Sequence, residues 1–204
     1  MPPTALTRDA LADDPIEQFR RWLADAEATG MVDPNAMTVA TAGSDGRPSA
    51  RTVLLRGADA AGFRFYTNRD SLKGRQLAEN PRAQLLFFWR ELGRQILVHG
   101  TVAPTSDADS DDYFAGRPRV SRLGAIASRQ GRVIAGRQDL LDAVAAADAQ
   151  HPGEDVPRPA HWGGYRLTPE AIEFWQAGEF RLHDRFVYAR AADGGGWRIE
   201  RLSP

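Results

Sequence analysis

The stretch IEFWQAGEFRLHDRF, residues 172–186, sets the terms for reading the rest of the chain. Arg181, His183 and Arg185 alternate in it with Leu182, Asp184 and Phe186. A period of two marks a strand whose two faces meet different surroundings. The expectation is a β-strand that presents three basic side chains on one face, directly after Phe174 and Trp175. Neighbouring like charges repel, so the pattern stabilises nothing by itself. It points to an anionic or electron-accepting ligand, with Trp175 as a surface for a flat ring. The competing reading is an exposed strand whose charges pair with Asp184 and Glu179.

Strand-like runs recur on either side. MTVATA (37–42) leads through GSDG to PSARTVLLR (48–56), and FRFYTN (63–68) follows. AQLLFFW (83–89) and RQILVHGTVAP (94–104) are joined by RELG. GYRLT, AIEFWQ and WRIERL close the chain, with DGGG (193–196) turning the last hairpin. Alternation broken by Gly, Asp and Asn is the pattern of antiparallel hairpins. Helices are few. Asp14 caps the first, with Pro15 at its first position and Glu17 completing a capping box. Ile16, Phe19, Leu23 and Ala26 share one face, and Gly30 stops it. Ser71 caps a second helix that ends at Asn80-Pro81. DADSDDYFAG and QDLLDAVAAADAQ (138–150) are helical in pattern, and HPGEDVPRP (151–159) is a proline-rich connection. The expected fold is mainly β, a small antiparallel barrel with peripheral helices. Residues 14–204 form one domain in this reading, and residues 1–13 a flexible segment.

Bulk properties narrow the function. With 26% charged and 42% hydrophobic residues among 204, the chain has ordinary globular composition. Its formal net charge of -1 gives nucleic acid no electrostatic foothold. The absence of cysteine removes thiolate metal sites and cysteine nucleophiles. The four histidines (99, 151, 161, 183) lack metal-ligand spacing, and no metal is expected. His99, in an apolar strand, reads as a structural histidine. No run has membrane-spanning length and the N-terminal residues lack a signal-peptide core, so a cytoplasmic protein without membrane contact is expected. Neither G-x-S-x-G nor a P-loop is present.

Three further groups could hold anions. RTVLLR (51–56) carries Arg51 and Arg56 at the ends of an apolar strand, on opposite faces if alternation is regular. DSLKG (70–74) puts Ser71 and Lys73 at a helix N-terminus, where free N–H groups favour phosphate. YFAGRPRVS (113–121) places Tyr113 and Arg117 four apart, one above the other on a helix, with Pro118 ending it and Ser121 on the connecting chain. A phenol, a guanidinium and a hydroxyl suit a phosphate dianion. Each group also reads as ordinary surface when taken alone.

Taken together, IEFWQAGEFRLHDRF, RTVLLR, FYTN, SLKG, NPRAQLLFFW, RQILVHG, YFAGRPRVS, ASRQ and WGGY resemble, in order, the sequence blocks of the pyridoxamine 5'-phosphate oxidases. The resemblance runs from about Asp14 to Pro204. It implies the FMN-binding split-barrel fold and a homodimer with two FMN molecules at its interface. It implies an oxidase that converts pyridoxamine or pyridoxine 5'-phosphate to pyridoxal 5'-phosphate with dioxygen, releasing hydrogen peroxide. By position, the cofactor contacts are Arg51, Thr52, Val53, Leu54, Leu55, Arg56, Tyr66, Thr67, Lys73, Gln95, Gln130, Trp175 and Arg185. Substrate contacts are Arg56, Tyr113, Arg117, Ser121, Arg181 and His183, and the last two are the catalytic pair.

The chain departs from the family pattern in several places. Leu72 stands where an arginine is common beside Lys73, Arg56 replaces a lysine, and Gly131 replaces a serine. Members often carry a basic, tyrosine-bearing upstream segment that folds over the substrate, and residues 1–13 do not resemble it. A related oxidase of secondary metabolism, of the phenazine type and acting on a larger aromatic substrate, shares the RLH segment and is the nearest alternative. A non-catalytic carrier of flavin or pyridoxal phosphate is another.

Overall fold

The chain is described by a computed structural model covering residues 5–191 and 196–204. The DGGG turn falls largely outside the described residues. The longest strand organises the rest. Strand β7 (Trp162–Gln176) pairs along one edge with β6 (Arg94–Pro104). Its other edge is divided. Residues 162–167 pair with β4 (Gly62–Asn68), and residues 171–176 pair with β8 (Asp184–Arg190). Pro169 lies at the fork, where a residue without an N–H leaves no ladder bond unmade. The β6 ladder shifts register opposite this point, between His99 and Gly100. The bulge bends both strands.

From β6 the sheet continues through β5 (Arg82–Trp89) and β1 (Ala36–Ala42) to β2 (Pro48–Leu54). Beyond β4 comes the short β3 (Gly57–Asp59), and beyond β8 comes β9 (Trp197–Leu202). Every pairing is antiparallel. The result is a nine-stranded sheet curled into a split barrel, as the strand pattern predicts. GYRLT and AIEFWQ are halves of one strand, because Pro169 sits where it is tolerated.

Helix α1 (Pro15–Ala28) closes the barrel. Asp14 Oδ1 accepts from the N–H groups of Ile16 and Glu17 at 2.8 Å each, so the expected cap is made. Phe19 is fully buried and meets Phe63 edge-on at 4.9 Å and Phe87 at 5.0 Å. Trp22 meets Phe174 at 5.2 Å and 90°. Residues 5–13 pack rather than trail. Leu6 and Leu11 are buried in the core, the Leu6 N–H donates to Asp184, and the Tyr188 hydroxyl donates to the Ala12 carbonyl at 2.6 Å.

The remaining helices are α2 (Leu72–Glu79), α3 (Asp107–Ala115), α4 (Arg119–Ala127) and α5 (Arg137–Gln150). Helix α4 was not anticipated. Pro118 ends α3's extension but occupies the N-cap position of α4, so Ser121 lies in a first helical turn rather than on connecting chain. No helix among the described residues is long and apolar enough to cross a membrane.

Phe19 ties α1 to both halves of the barrel interior, so Phe19→Ala leaves a cavity among rings that cannot collapse. The expected loss is about 3–5 kcal/mol of unfolding free energy. Urea denaturation at fixed protein concentration measures it. A loss below about 1 kcal/mol would mean that α1 is peripheral to the core.

Candidate active site

The barrel opens on one side into a cavity of about 600 Å³. Among the described residues four cationic side chains line it, Arg51, Arg56, Lys73 and Arg117, and no carboxylate does. Strand β2 supplies Arg51, Thr52, Val53 and Leu54, and β4 supplies Tyr66, Thr67 and Asn68. Tyr113, Arg117 and Ser121 come from α3, the bend after it and α4. Gln130 closes the rim. The alternation argument put Arg51 and Arg56 on opposite faces. It fails because β2 ends at Leu54 and the chain turns, with the Leu55 N–H bonded to the Asn35 carbonyl and the Arg56 N–H to that of Arg64. Leu55, the expected cofactor contact that does not line the cavity, is buried in the core at 5% exposure, and Val53 packs partly against that core.

Lys73 is 5% exposed at the first turn of α2. Its Nζ donates to Thr67 Oγ1 at 3.1 Å and Ser71 Oγ at 3.3 Å, and neither acceptor carries charge. Burial, and secondly the nearby Arg51, push its pKa down to about 8. Arg51 is also held by neutral acceptors. Its Nη1 donates to Thr41 Oγ1 at 2.6 Å and its Nη2 to Ser49 Oγ at 2.5 Å. Gln76 of α2 accepts from both hydroxyls, so helix and sheet are fixed together behind the cations. Gly74 is required at this point: a Cβ would lie 1.9 Å from the Arg69 carbonyl oxygen. Burial likewise lowers the Arg117 guanidinium from its usual value, and its Nη1 is buried without a partner. Buried cations without counter-charges are costly. A bound anion removes that cost, and the free N–H groups of α2 add to its hold.

A second cluster lies apart from the cavity. Gln95, Trp175 and Arg185 sit abreast on β6, β7 and β8, in register as Gln95↔Trp175 and Trp175↔Arg185. The His183 ring is 4.6 Å from that of Trp175. None of these residues, nor Arg181, lines the cavity. Here the opening expectation needs correction. Residues 179–181 form a 3-10 turn, Phe180 and Arg181 have φ of 54° and 64°, and β8 begins only at Asp184. The first half of FRLHDRF, residues 180–183, belongs to a reversal between β7 and β8, and only Asp184, Arg185 and Phe186 belong to a strand. Arg181 is exposed. His183 Nδ1 accepts from the Gly178 N–H at 3.2 Å, which leaves Nε2 as the outward ring nitrogen. Arg185 makes a two-pronged ion pair with Glu173, Nε to Oε1 at 2.8 Å and Nη2 to Oε2 at 3.0 Å. Glu173 was not foreseen as its partner. His99 is exposed, not a core histidine.

The cavity also contains Asn68, Gly124, Ala125, Ser128 and Trp162, which residue-type reasoning passed over. The blocks FYTN, ASRQ and WGGY carried a signal for three of them, Asn68, Ser128 and Trp162.

A family profile described as Pyridoxamine 5'-phosphate oxidase matches residues 23–151. A second, described as Pyridoxine 5'-phosphate oxidase C-terminal dimerisation region, matches residues 162–204. The chain belongs to the pyridoxamine 5'-phosphate oxidase family. It is similar to the pyridoxine/pyridoxamine 5'-phosphate oxidase of Rubrobacter xylanophilus, 54% identical over 98% of this chain and 91% of that one. Among solved structures it resembles PhzG from Burkholderia lata 383 in complex with tetrahydrophenazine-1-carboxylic acid, with TM-score 0.91, 35% identity and full coverage of both chains. A pyridoxamine 5'-phosphate oxidase-related, FMN binding protein from Nostoc punctiforme superposes with TM-score 0.72 over 91% of this chain and 97% of that one. At 19% identity that likeness speaks to the fold alone. Membership supports an oxidase, flavin binding and, through the dimerisation region, a homodimer.

The family's cation-lined cavity makes Lys73 a pH reporter. Between its depressed value of about 8 and the ordinary lysine value of 10.5, unfolding takes up a proton. Stability contributed by this group therefore rises with pH across that window. Above it, Tyr188, raised by burial to about 12, acts in the opposite sense as unfolded tyrosine ionises. The ligand-free protein should gain thermal stability from about pH 7.5 to about pH 9 relative to Lys73→Met. Thermal melts of both proteins across that interval test this, and parallel pH profiles would contradict it.

Proposed function

We propose that this protein is an FMN-dependent oxidase that converts pyridoxamine or pyridoxine 5'-phosphate to pyridoxal 5'-phosphate, with dioxygen as acceptor and hydrogen peroxide as product. The observation that carries the reading is the cavity itself, lined among the described residues by four cations and no acid, with one guanidinium nitrogen, Arg117 Nη1, left without a partner. That donor set fits two phosphate groups. The 54% identity to a curated enzyme of that name supports the same substrate class.

Lys73, Arg51 and the N-terminal N–H groups of α2 would hold the FMN phosphate, with Thr52, Val53, Leu54, Tyr66, Thr67 and Gln130 along the flavin. Bound there, FMN would supply the acceptor for a hydride from the substrate carbon bearing the amine or alcohol, and the route for those electrons to dioxygen. Arg56, Tyr113, Arg117 and Ser121 would hold the substrate phosphate. With Arg51 and Lys73, these cations favour the negative charge that develops in the site, and they do so where water is excluded. Arg181 and His183 would orient the pyridine ring, and His183 Nε2 is the nitrogen positioned to hold a proton. Since these two lie outside their own chain's cavity, the partner subunit would bring its copies, with Gln95, Trp175 and Arg185, over this one. Phe180 and Leu182 support that placement. They are 90% and 69% exposed beside the catalytic pair, as surfaces awaiting a partner are.

Purified protein should be yellow and should release peroxide and aldehyde when given pyridoxamine 5'-phosphate in air. Arg181→Leu should cut turnover by about 100-fold or more while flavin content stays near wild type. Yellow protein without turnover would sink the substrate assignment. A second reading, a phenazine-type oxidase, is favoured by the TM-score of 0.91 to PhzG, and a reduced phenazine carboxylate is the substrate to try next.

Complementation tests the shared site. Lys73→Met and His183→Ala subunits should each be inactive alone. Unfolded and refolded together, half the dimers are hybrids with one intact site, so activity should return to about a quarter of wild type. No recovery would place both residues in one chain's site.

A further inference from the structure

The block WGGY (162–165) opens β7, and the roles assigned above leave it without one. Trp162 is 6% exposed and forms part of the cavity wall. The Arg117 guanidinium lies over its indole, with Cζ 4.6 Å from the ring centroid, and over Phe114 at 5.5 Å. Charge interactions on Arg117 come from Tyr113 and Arg56, not from a carboxylate. An arginine is commonly aimed by a two-pronged bond to an acid. Here aromatic faces do the aiming, which leaves the N–H edges of the guanidinium for a ligand. The buried, unpartnered Nη1 is such an edge.

Trp162 also belongs to a set of nearly parallel rings. It lies 2° from the plane of Tyr113 at 6.1 Å and 12° from that of Tyr66 at 5.7 Å. Tyr66 and Tyr113 stack at 3.9 Å and 10°. Tyr66 can lie flat because residue 164 is glycine: a Cβ there would come 2.7 Å from the Tyr66 ring and 2.4 Å from Thr105 Oγ1. The backbone of Trp162 is itself fixed: its main-chain N–H donates to the Pro159 carbonyl at 2.9 Å, and its main-chain carbonyl accepts from Arg158 Nη1 at 2.7 Å. Arg158 in turn grips Asp107 and Asp111 of α3 at 3.0 and 2.6 Å, so platform and helix move together.

We propose that Trp162 is a positioning residue for phosphate recognition: its indole face aims the Arg117 guanidinium, and with Tyr66 the Tyr113 phenol, at the oxygens of a phosphate monoester. The inference rests on the phosphate-binding role proposed for Arg117.

The test compares Trp162→Leu, which keeps an apolar side chain without a π face, with Trp162→Phe, which keeps a face. With pyridoxamine 5'-phosphate, the leucine variant should raise KM about ten-fold with kcat falling less than about two-fold, and phenylalanine should restore most of the loss. In an Arg117→Ala background, Trp162→Leu should add nothing further, because the two act as one unit. Full additivity there, equal damage from phenylalanine and leucine, or a loss confined to kcat would each overturn the proposal. Calorimetric binding of inorganic phosphate to the ligand-free proteins separates this from the reaction assigned above. If wild type binds phosphate more tightly than the leucine variant but neither oxidises the substrate, positioning stands and the substrate assignment falls. If wild type turns over and its phosphate affinity equals that of the leucine variant, positioning falls alone.

Discussion

The division of one strand edge determines most of this molecule. Strand β7 pairs with β6 along its length, yet gives its other edge first to β4 and then to β8. Pro169 makes the division possible, because the residue between the two ladders has no donor to satisfy. One end of β7 therefore enters the barrel that carries the cavity, and the other carries the β8–β9 hairpin away from it. Trp162 and Trp175 mark those ends, roughly 40 Å apart along the strand contour. The candidate site residues consequently fall in two groups within each chain, and the dimerisation region of the family begins with the strand that separates them and runs on through β8 and β9.

Electrostatics decides what the barrel half can accept. Acids are plentiful in the chain, 27 against 26 basic residues, but they are placed elsewhere. Arg158 takes Asp107 and Asp111, Arg185 takes Glu173, Arg166 takes Asp59, and Arg201 takes Asp184. The cavity cations are left with hydroxyls and carbonyls. Hydroxyls orient a cation without neutralising it, so the site keeps its positive potential for a ligand. This distinguishes Lys73 and Arg51 from Arg185. Arg185 is already neutralised in a fork, so its contribution beside a ring would be shape and donor geometry more than net charge.

How far the sequence revealed this depended on the range of the interaction. Strand runs such as MTVATA and RQILVHGTVAP were legible because alternation is local, and the Asp14 and Ser71 caps because the residue and its N–H partners are neighbours. Alternation failed wherever the chain turned without changing its composition. RTVLLR ends one residue before its expected inward register, and FRLHDRF contains a left-handed turn at Phe180 and Arg181 that no glycine announces. Helix α4 was hidden because Pro118 signals a stop and a start equally well. The barrel-half cluster was recovered mainly through the ordered sequence blocks, since its members span residues 51 to 162 and only the topology joins them.

The failure at residues 180–181 has a physical cause that bears on the site. Positive φ at a non-glycine residue costs free energy that the chain alone does not return. Phe180 and Arg181 both carry it, on an exposed turn whose neighbours Phe180 and Leu182 are apolar and uncovered. An isolated chain gains nothing from holding this turn in that shape. In the proposed dimer a second subunit would: it would cover the apolar side chains and receive Arg181 and His183 in a fixed geometry. The strain at this turn thus fits a segment whose conformation is selected by what it meets across a dimer interface rather than by its own barrel. On the same proposal, the basic residues 181–185 would serve a surface that their own chain does not provide.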